Sequence, residues 1–325
     1  MKYVIGIDGG GTSTVASIVS SEGKLIKTVK AGPSNPNTTS TNQLKETFQN
    51  IYIALKEGLP TEVWKNIIHL FAGISGAEHE QSKQIIYDHI QSIFPDDMQR
   101  TVDNDAITAL YAGTMGSPGI VQICGTGSIS FGVNQAGKRD RVGGWGHLIR
   151  EKSSGYFLGK QALEAAFMSY DKLGKDTLLV EKIVRHFQVE TLPKLVYLIY
   201  HASNSKEKIA SIAPLVFEAA KENDEVAKQI IEAFATHTSS EVIALSERLF
   251  TAEERRQGIE LVLIGSVFKQ LNVFKKMIKK ISDEHQTKLN FVQAKYEPVI
   301  GAVVAAFLAE GYDPQKILNE NVIKE

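Results

Sequence analysis

Residues 3–19 read Tyr3-Val-Ile-Gly-Ile-Asp8-Gly9-Gly10-Gly11-Thr12-Ser13-Thr14-Val-Ala-Ser-Ile-Val19. An apolar run ends in an Asp, three glycines and hydroxyl residues follow, and a second apolar run begins at once. That pattern predicts a strand, a tight turn and an antiparallel strand. Glycines in such a turn permit positive φ and leave no Cβ in the way, so backbone N–H groups can converge on an anion while Thr12, Ser13 and Thr14 offer further donors. Asp8 at the strand end then faces a metal ion or its waters, as oxygen-binding Mg²⁺ requires. An ordinary glycine-rich hairpin turn would give the same local pattern.

A second copy of the pattern separates these readings. Gly119-Ile-Val-Gln-Ile-Cys124-Gly125-Thr126-Gly127-Ser128-Ile-Ser-Phe-Gly-Val133 is again an apolar run, a Gly/Thr turn and an apolar run. The next turn is closed by Gly23-Lys24 in the first copy and by Gly137-Lys138 in the second, at nearly the same offset as Gly11 to Gly127. An internal duplication follows, with two lobes that would present their phosphate-type turns across a cleft. Units this long are lobes and not the roughly 20–50-residue repeats of a solenoid.

Composition sets the outer bounds. The 325 residues suit two domains. Hydrophobic residues at 43% and charged residues at 22% describe a water-soluble globular chain. A net charge of −1 argues against a general nucleic-acid binder. The single cysteine, Cys124, rules out an internal disulfide or a cysteine-held cluster within one chain and fits a cytoplasmic setting. No leader-like or membrane-spanning apolar run is present in the sequence.

Between the two glycine turns, Lys24–Lys30 alternates as a strand, and Gln43–Glu57 carries Phe48, Ile51, Tyr52 and Leu55 at helical spacing. The intervening Gly32-Pro33-Ser34-Asn35-Pro36-Asn37 is rich in amides, which either read a polar ligand or form turns. Ile67–Gly76 predicts a buried strand entering a glycine turn, Ser82–Phe94 a helix, and Thr101–Ala106 a short strand ending in acids. The lobe reads βββαβαβα, a mixed sheet with helices on its faces, and Asp8, Gly73 and Asp105 sit at strand ends, where ligands collect in such sheets. Asp105 is either a general base or the N-cap of the helix beginning at Ala106. Gly113–Gly119 reads as a hinge.

Gly143-Gly144-Trp145-Gly146-His147 is the second glycine-rich region. Ser154 is placed to cap a helix over Gly155–Tyr170, and the chain reads as helical from there to Arg256, with His201 and His237 structural. Ile259–Ile264 is a strand entering Gly265-Ser266, a turn able to set a helix N-terminus and flat backbone against a nucleotide. Phe291–Lys295 is the last expected strand, and Pro298 opens a helix of small residues.

Asp8–Thr12, Gly125–Ser128 and Ile264–Phe268 together resemble the phosphate-1, phosphate-2 and adenosine motifs of the actin-like ATPase and sugar kinase superfamily. With Asn104-Asp105-Ala106, Gly143–His147 and Ser154–Tyr156, the chain resembles the BadF/BadG-type ATPases, and within them the N-acetylglucosamine kinases. The resemblance implies an α/β fold of two actin-like, ribonuclease H-like lobes, 1–115 joined by the C-terminal helix 298–325, and 116–297, with a nucleotide cleft between them. It implies ATP and Mg²⁺ as cofactors. Asp8 would orient the metal, and Gly10, Gly11, Thr12, Gly125, Thr126 and Gly127 would hold phosphates. Gly265 and Ser266 would meet adenosine, Asp105 would be the base at the sugar 6-hydroxyl, and Asn35, Gly144, Trp145, Gly146 and Glu151 would line the sugar. The expected partners are an amino sugar, ATP and a second copy of the chain, with neither nucleic acid nor membrane. Arg150-Glu151-Lys152-Ser153-Ser154 departs from the family's usual Gly-Asp-Glu-Gly-Ser, which bears on which sugar is taken. Rival readings on the same fold are a cluster-bearing activator, opposed by the lone Cys124, and a non-catalytic sugar sensor, opposed by the presence of both Asp8 and Asp105.

Overall fold

The computed structural model describes residues 1–95 and 97–318. The chain divides into two compact units, residues 1–119 with 292–325, and residues 120–291. In chain order the first comprises β1 (Tyr3–Gly9), β2 (Thr14–Ser20), β3 (Leu25–Ala31), α1 (Thr41–Lys56), α2 (Thr61–Lys65), β4 (Ile67–Ile74), α3 (Glu80–Ile93), β5 (Gln99–Asp103) and α4 (Asp105–Thr114). The second comprises β6 (Gly119–Cys124), β7 (Ser128–Val133), β8 (Arg139–Gly143), then α5 (Gly155–Tyr170), α6 (Leu179–Phe187), α7 (Lys194–Tyr200), α8 (Ser205–Ala210), α9 (Ala213–Lys221), α10 (Glu225–Leu249) and α11 (Ala252–Gln257). It closes with β9 (Ile259–Ile264), a 3₁₀ turn (Ser266–Gln270), α12 (Leu271–Glu284) and β10 (Leu289–Val292). The chain then returns to the first unit as α13 (Pro298–Ala309) and α14 (Pro314–Ile317).

The duplication is visible as topology. One sheet runs β3-β2-β1-β4-β5 and the other β10-β9-β6-β7-β8, the same order once the strands are matched. In the first, β1 pairs antiparallel with β2 and parallel with β4, and β4 pairs parallel with β5. In the second, β6 and β9 are parallel and β7 and β8 antiparallel.

Each sheet is covered on both faces, which is why β1 and β6 are apolar almost throughout. Ile5 and Ile7 join Phe48, Ile51 and Leu55 of α1 and Ile86 and Ile90 of α3 in one core. On the other face Gly6 meets α13: a Cβ on Gly6 would stand 2.6 Å from Val303 N, and one on Gly301 only 1.8 Å from the Thr108 carbonyl oxygen. Small residues let α13 lie against both β1 and α4. The core of the second unit joins β6 and β9 to α5, α9, α10 and α12 around Phe234, Phe268 and Phe274.

Two boundaries differ from expectation. The last strand is Leu289–Val292, not Phe291–Lys295, because pairing to β9 starts where Ile259 N donates to the Lys288 carbonyl. The helix opened by Pro298 stops at Ala309, with Gly311 at positive φ two residues on. The expected helical stretch beyond Leu318 lies outside the described residues.

Candidate functional site

Register places the first group of side chains. Asp8 lies opposite Gly73, and Gly73 opposite Asp103, so three parallel strands end level at their carboxyl edge. Asp8, Ser75 and Asp105 follow from that edge. Gly73 is glycine for a packing reason: a Cβ there would lie 2.1 Å from Thr108 Cγ2. This close approach lets the Thr108 hydroxyl donate to Asp8 Oδ1 at 2.8 Å.

Asp105 is not the cap. Asn104 caps α4, its Oδ1 accepting from Ala106 N at 2.8 Å, and Asp105 is the first helical residue. Burial, then the charges of Asp8 and Glu78, push the Asp105 carboxyl up to about 7, against the lowering effect of a hydrogen bond from Ser75. Burial likewise raises Asp8 to about 6, with Thr108 opposing and Glu297 adding to the rise. The Asp8 charge thus adds to burial in disfavouring ionisation of Asp105, leaving it poised to gain a proton near neutrality.

Asn35 forms a turn, one of the two readings its sequence setting allowed. Its Oδ1 accepts from Asn37 N at 2.9 Å in an Asx turn, and its amide lies 3.5 Å from Ser75 Oγ. Gly76, at φ +86°, brings Asn35 and Asn37 against the same turn, since a Cβ there would meet Asn35 Oδ1 at 2.5 Å. Asn35, Ser75 and Asp105 therefore form one polar strip.

The first glycine turn carries two corrections. Gly9, Gly10 and Gly11 are not at positive φ. Gly9 is needed because a Cβ would stand 2.1 Å from Ser34 Oγ, whereas Gly11 and Thr12 lie open at the surface. Thr14 is no donor for a ligand: it is wholly buried, and its hydroxyl bonds the Gly32 carbonyl at 2.8 Å and Ser34 Oγ at 2.8 Å.

In the second unit the turn Gly125–Ser128 is held from inside. Gly125 N donates to the Gly127 carbonyl at 2.9 Å. Gly155 N and Tyr156 N, at the start of α5, donate to the Gly125 and Thr126 carbonyls at 2.8 and 3.3 Å, and Ser154 caps that helix through Phe157 N. Turn and helix are so tied that the turn's carbonyls face inward. Beside it, Gly265 at φ +119° comes so close to β6 that a Cβ would stand 2.0 Å from the Cys124 carbonyl oxygen. Gly125, Thr126, Gly155, Ser266 and Val267 border a cavity of about 460 Å³ completed by Glu207, Ser211, Phe217 and Lys221. That volume and mixed lining suit a nucleoside. Cys124 itself is wholly buried and its thiol is pushed up by burial, so it is no cluster ligand.

The remaining expected residues separate. Gly143, Gly144 and Gly146, all between φ +72° and +84°, form a loop that carries Trp145 outward, 54% exposed, with the Arg141 guanidinium 4.3 Å from its ring centroid. Glu151 turns away from that loop: its Oε1 accepts from Ser128 N at 2.9 Å and its Oε2 lies 3.5 Å from Lys206 Nζ. Arg150 and Lys152 are exposed. His201 stacks on Tyr197 and His237 meets Phe157 edge-on.

Sequence reading missed Ser75, Thr108, Lys206 and the cavity wall on α8 and α9. Ser75 was findable as the first polar side chain beyond the carboxyl end of β4. Nothing local marks the others.

The profile of the BadF/BadG/BcrA/BcrD ATPase family matches residues 5–306. An N-acetylmuramic acid/N-acetylglucosamine kinase of Clostridium acetobutylicum is 33% identical over 309 residues, covering 94% of this chain and 98% of the relative. An N-acetyl-D-glucosamine kinase of Dictyostelium discoideum is 28% identical over 313 residues, with 94% and 98% covered. Among solved structures, a Chromobacterium violaceum protein described as a candidate N-acetylglucosamine kinase superposes with TM-score 0.65 at 21% identity over 94% of this chain and 98% of its own. Two mixed five-stranded sheets flanked by helices give this chain the actin-like ATPase fold. The chain belongs to the BadF/BadG/BcrA/BcrD ATPase family. Use of ATP follows from that membership, and among the described residues no helix is long and apolar enough to cross a membrane.

Proposed function

We propose that this ATPase is a kinase that transfers the γ-phosphoryl group of ATP to the 6-hydroxyl of an N-acetyl amino sugar, N-acetylglucosamine or N-acetylmuramic acid. The observation that carries the reading is the polar strip of Asn35, Ser75 and Asp105, in which the Asp105 carboxyl is raised to about 7. A base so poised can take the hydroxyl proton as the oxygen attacks phosphorus and ADP leaves. The names carried by the two relatives support the sugar class. Asn35 and the loop of Gly144, Trp145 and Gly146 are assigned to the sugar. Gly10, Gly11, Thr12, Gly125, Thr126 and Gly127 are assigned to phosphates, and Gly265 and Ser266, with the 460 Å³ cavity beside them, to adenosine.

Mg²⁺ fits the donors present. Among the described residues no three His, Cys, Asp or Glu side chains are grouped to hold an ion. A single carboxylate, waters and nucleotide oxygens are the set Mg²⁺ favours. Asp8 is the carboxylate assigned to it, because burial disfavours its charge unless a cation stands near. When bound, the ion would offset charge on the transferring phosphoryl group. Thr108 fixes the Asp8 carboxylate from behind.

The test is ADP release measured with N-acetylglucosamine, N-acetylmuramic acid and glucose, with the phosphorylated carbon located by phosphorus–carbon coupling in NMR. Sugar-dependent ADP release with phosphate on C6 is expected; nucleotide hydrolysis indifferent to every sugar would overturn the reading.

A further inference from the structure

Glu151 and Lys206 form a pair that the transfer chemistry above leaves unused. The Glu151 side chain is 4% exposed and that of Lys206 28%. Glu151 spans from the backbone of the second turn, through Ser128 N at 2.9 Å, to the lysine ammonium at 3.5 Å. Both charged ends crowd onto Gly127: a Cβ there would lie 2.6 Å from Glu151 Oε1 and 3.5 Å from Lys206 Nζ. Gly127 is thus glycine because a carboxylate occupies the space of its side chain, with the ammonium bordering the same space. The helix that carries Lys206 at its second residue, α8, also supplies Glu207 and Ala210 to the wall of the cavity that begins at Gly125 and Thr126. One short helix therefore puts a cation at the turn and a wall on the cavity.

We propose that Lys206 binds the polyphosphate of the nucleotide whose nucleoside occupies that cavity, and that Glu151 is the residue positioning it. The inference rests on the reading that ATP binds at this turn. An ammonium carries three donors, so it can keep its carboxylate partner and still reach an anion. It does so as a point charge, suited to phosphate oxygens. One Glu151 oxygen faces the ammonium, and the other braces the turn. Glu151 then belongs to the nucleotide and not to the sugar.

Calorimetry on the full chain with ADP and with adenosine tests this. In Lys206→Met, ADP affinity should fall by about 10- to 100-fold, the factor for losing one hydrogen bond to a charged group, while adenosine affinity stays unchanged. KM for ATP should rise with the sugar KM unmoved, and Lys206→Arg should recover most of the loss. Adding Glu151→Gln to Lys206→Met should restore part of the ADP affinity by removing the unpaired carboxylate. Equal weakening of ADP and adenosine, or an unchanged ADP affinity, would overturn the proposal. So would a single Glu151→Gln variant that raises the sugar KM alone. If Lys206→Met does not fold, the wild type answers by mass spectrometry. ADP but not adenosine should slow acylation of Lys206 by an N-hydroxysuccinimide ester, and equal labelling under both would count against it. Wild-type protein that binds neither ligand would bring down the ATP-site reading as well, whereas loss of this proposal alone leaves ADP binding intact.

Discussion

The two glycine turns sit on the same sheet topology and have diverged in what surrounds them. The first, Gly9–Ser13, adjoins a strand edge where burial raises the pKa of both Asp8 and Asp105 and the Asp8 charge raises that of Asp105 further. The second, Gly125–Ser128, adjoins helix α5, a carboxylate paired with a lysine, and a cavity. Duplication supplied two equivalent strand–turn–strand frames, and the side chains arriving from elsewhere gave one a pair of buried carboxyls and the other a carboxylate–lysine pair beside a cavity. Chemistry and nucleotide retention should accordingly be separable by mutation.

The sharpest break is Asp105→Asn. It should lower kcat by roughly 10²-fold or more, the scale of a positioned general base, while ADP affinity is kept. A variant that turns over normally would remove Asp105 from the chemistry. Gly265→Ala is the converse probe. A methyl forced to within 2.0 Å of the Cys124 carbonyl at φ +119° should cost about 2 kcal/mol or more. Thermal unfolding followed with and without adenosine should show a lowered Tm and weakened binding together. An alanine variant of wild-type stability would mean that β6 and β9 can move apart.

The pH dependence separates the frames next. Asp105, raised to about 7 from an ordinary 3.8, must be ionised to accept a proton, so kcat/KM should climb as pH rises through about 7. The stability effect runs the other way. With folded pKa values above the unfolded ones, Asp8 and Asp105 contribute most below about pH 4 and lose that contribution as pH rises through 6 to 7. The metal-free Tm of the wild type should therefore fall across this window relative to that of an Asp8→Asn, Asp105→Asn double variant. Parallel curves would show that burial does not perturb these groups. The smallest effect is expected at the exposed Lys152. If its charge favours the lactyl carboxylate of N-acetylmuramic acid, Lys152→Glu should reduce kcat/KM on that sugar selectively, by up to about fivefold, as a partly exposed ion contact allows. Equal loss on N-acetylglucosamine would end that idea.

The frames were legible because their signals are local. Asp8 before three glycines, Gly125-Thr126 after an apolar run and Gly265-Ser266 after another each announce a strand end within a few residues. What escaped depends on residues distant in the chain. Thr108 reaches Asp8 across 100 positions, and Lys206 reaches Glu151 from a helix whose sequence says nothing of its neighbour. Of the two glycine properties read at the first turn, positive φ and the missing Cβ, only the second operates there. Gly9, Gly73 and Gly127 are required by atoms that take the place of a side chain, which no local pattern reveals, and not by positive φ. Asp105 was left between base and cap because Asn104 and Asp105 are both good caps. Only the hydrogen bond to Ala106 N distinguishes them.

The return of the chain through α13 has a consequence during synthesis. On the ribosome, β1 emerges among the first residues, yet the helix that fills the groove over Gly6 and locks against Thr108 is translated only after all of residues 120–291. The segment translated in the middle can therefore complete its own core while the segment translated first still waits for its cover. A nascent chain stopped before Pro298 would expose β1 and α4 along the face that Gly301 normally seals. The carboxyl edge that carries Asp8 and Asp105 therefore belongs to the half of the fold that is completed last.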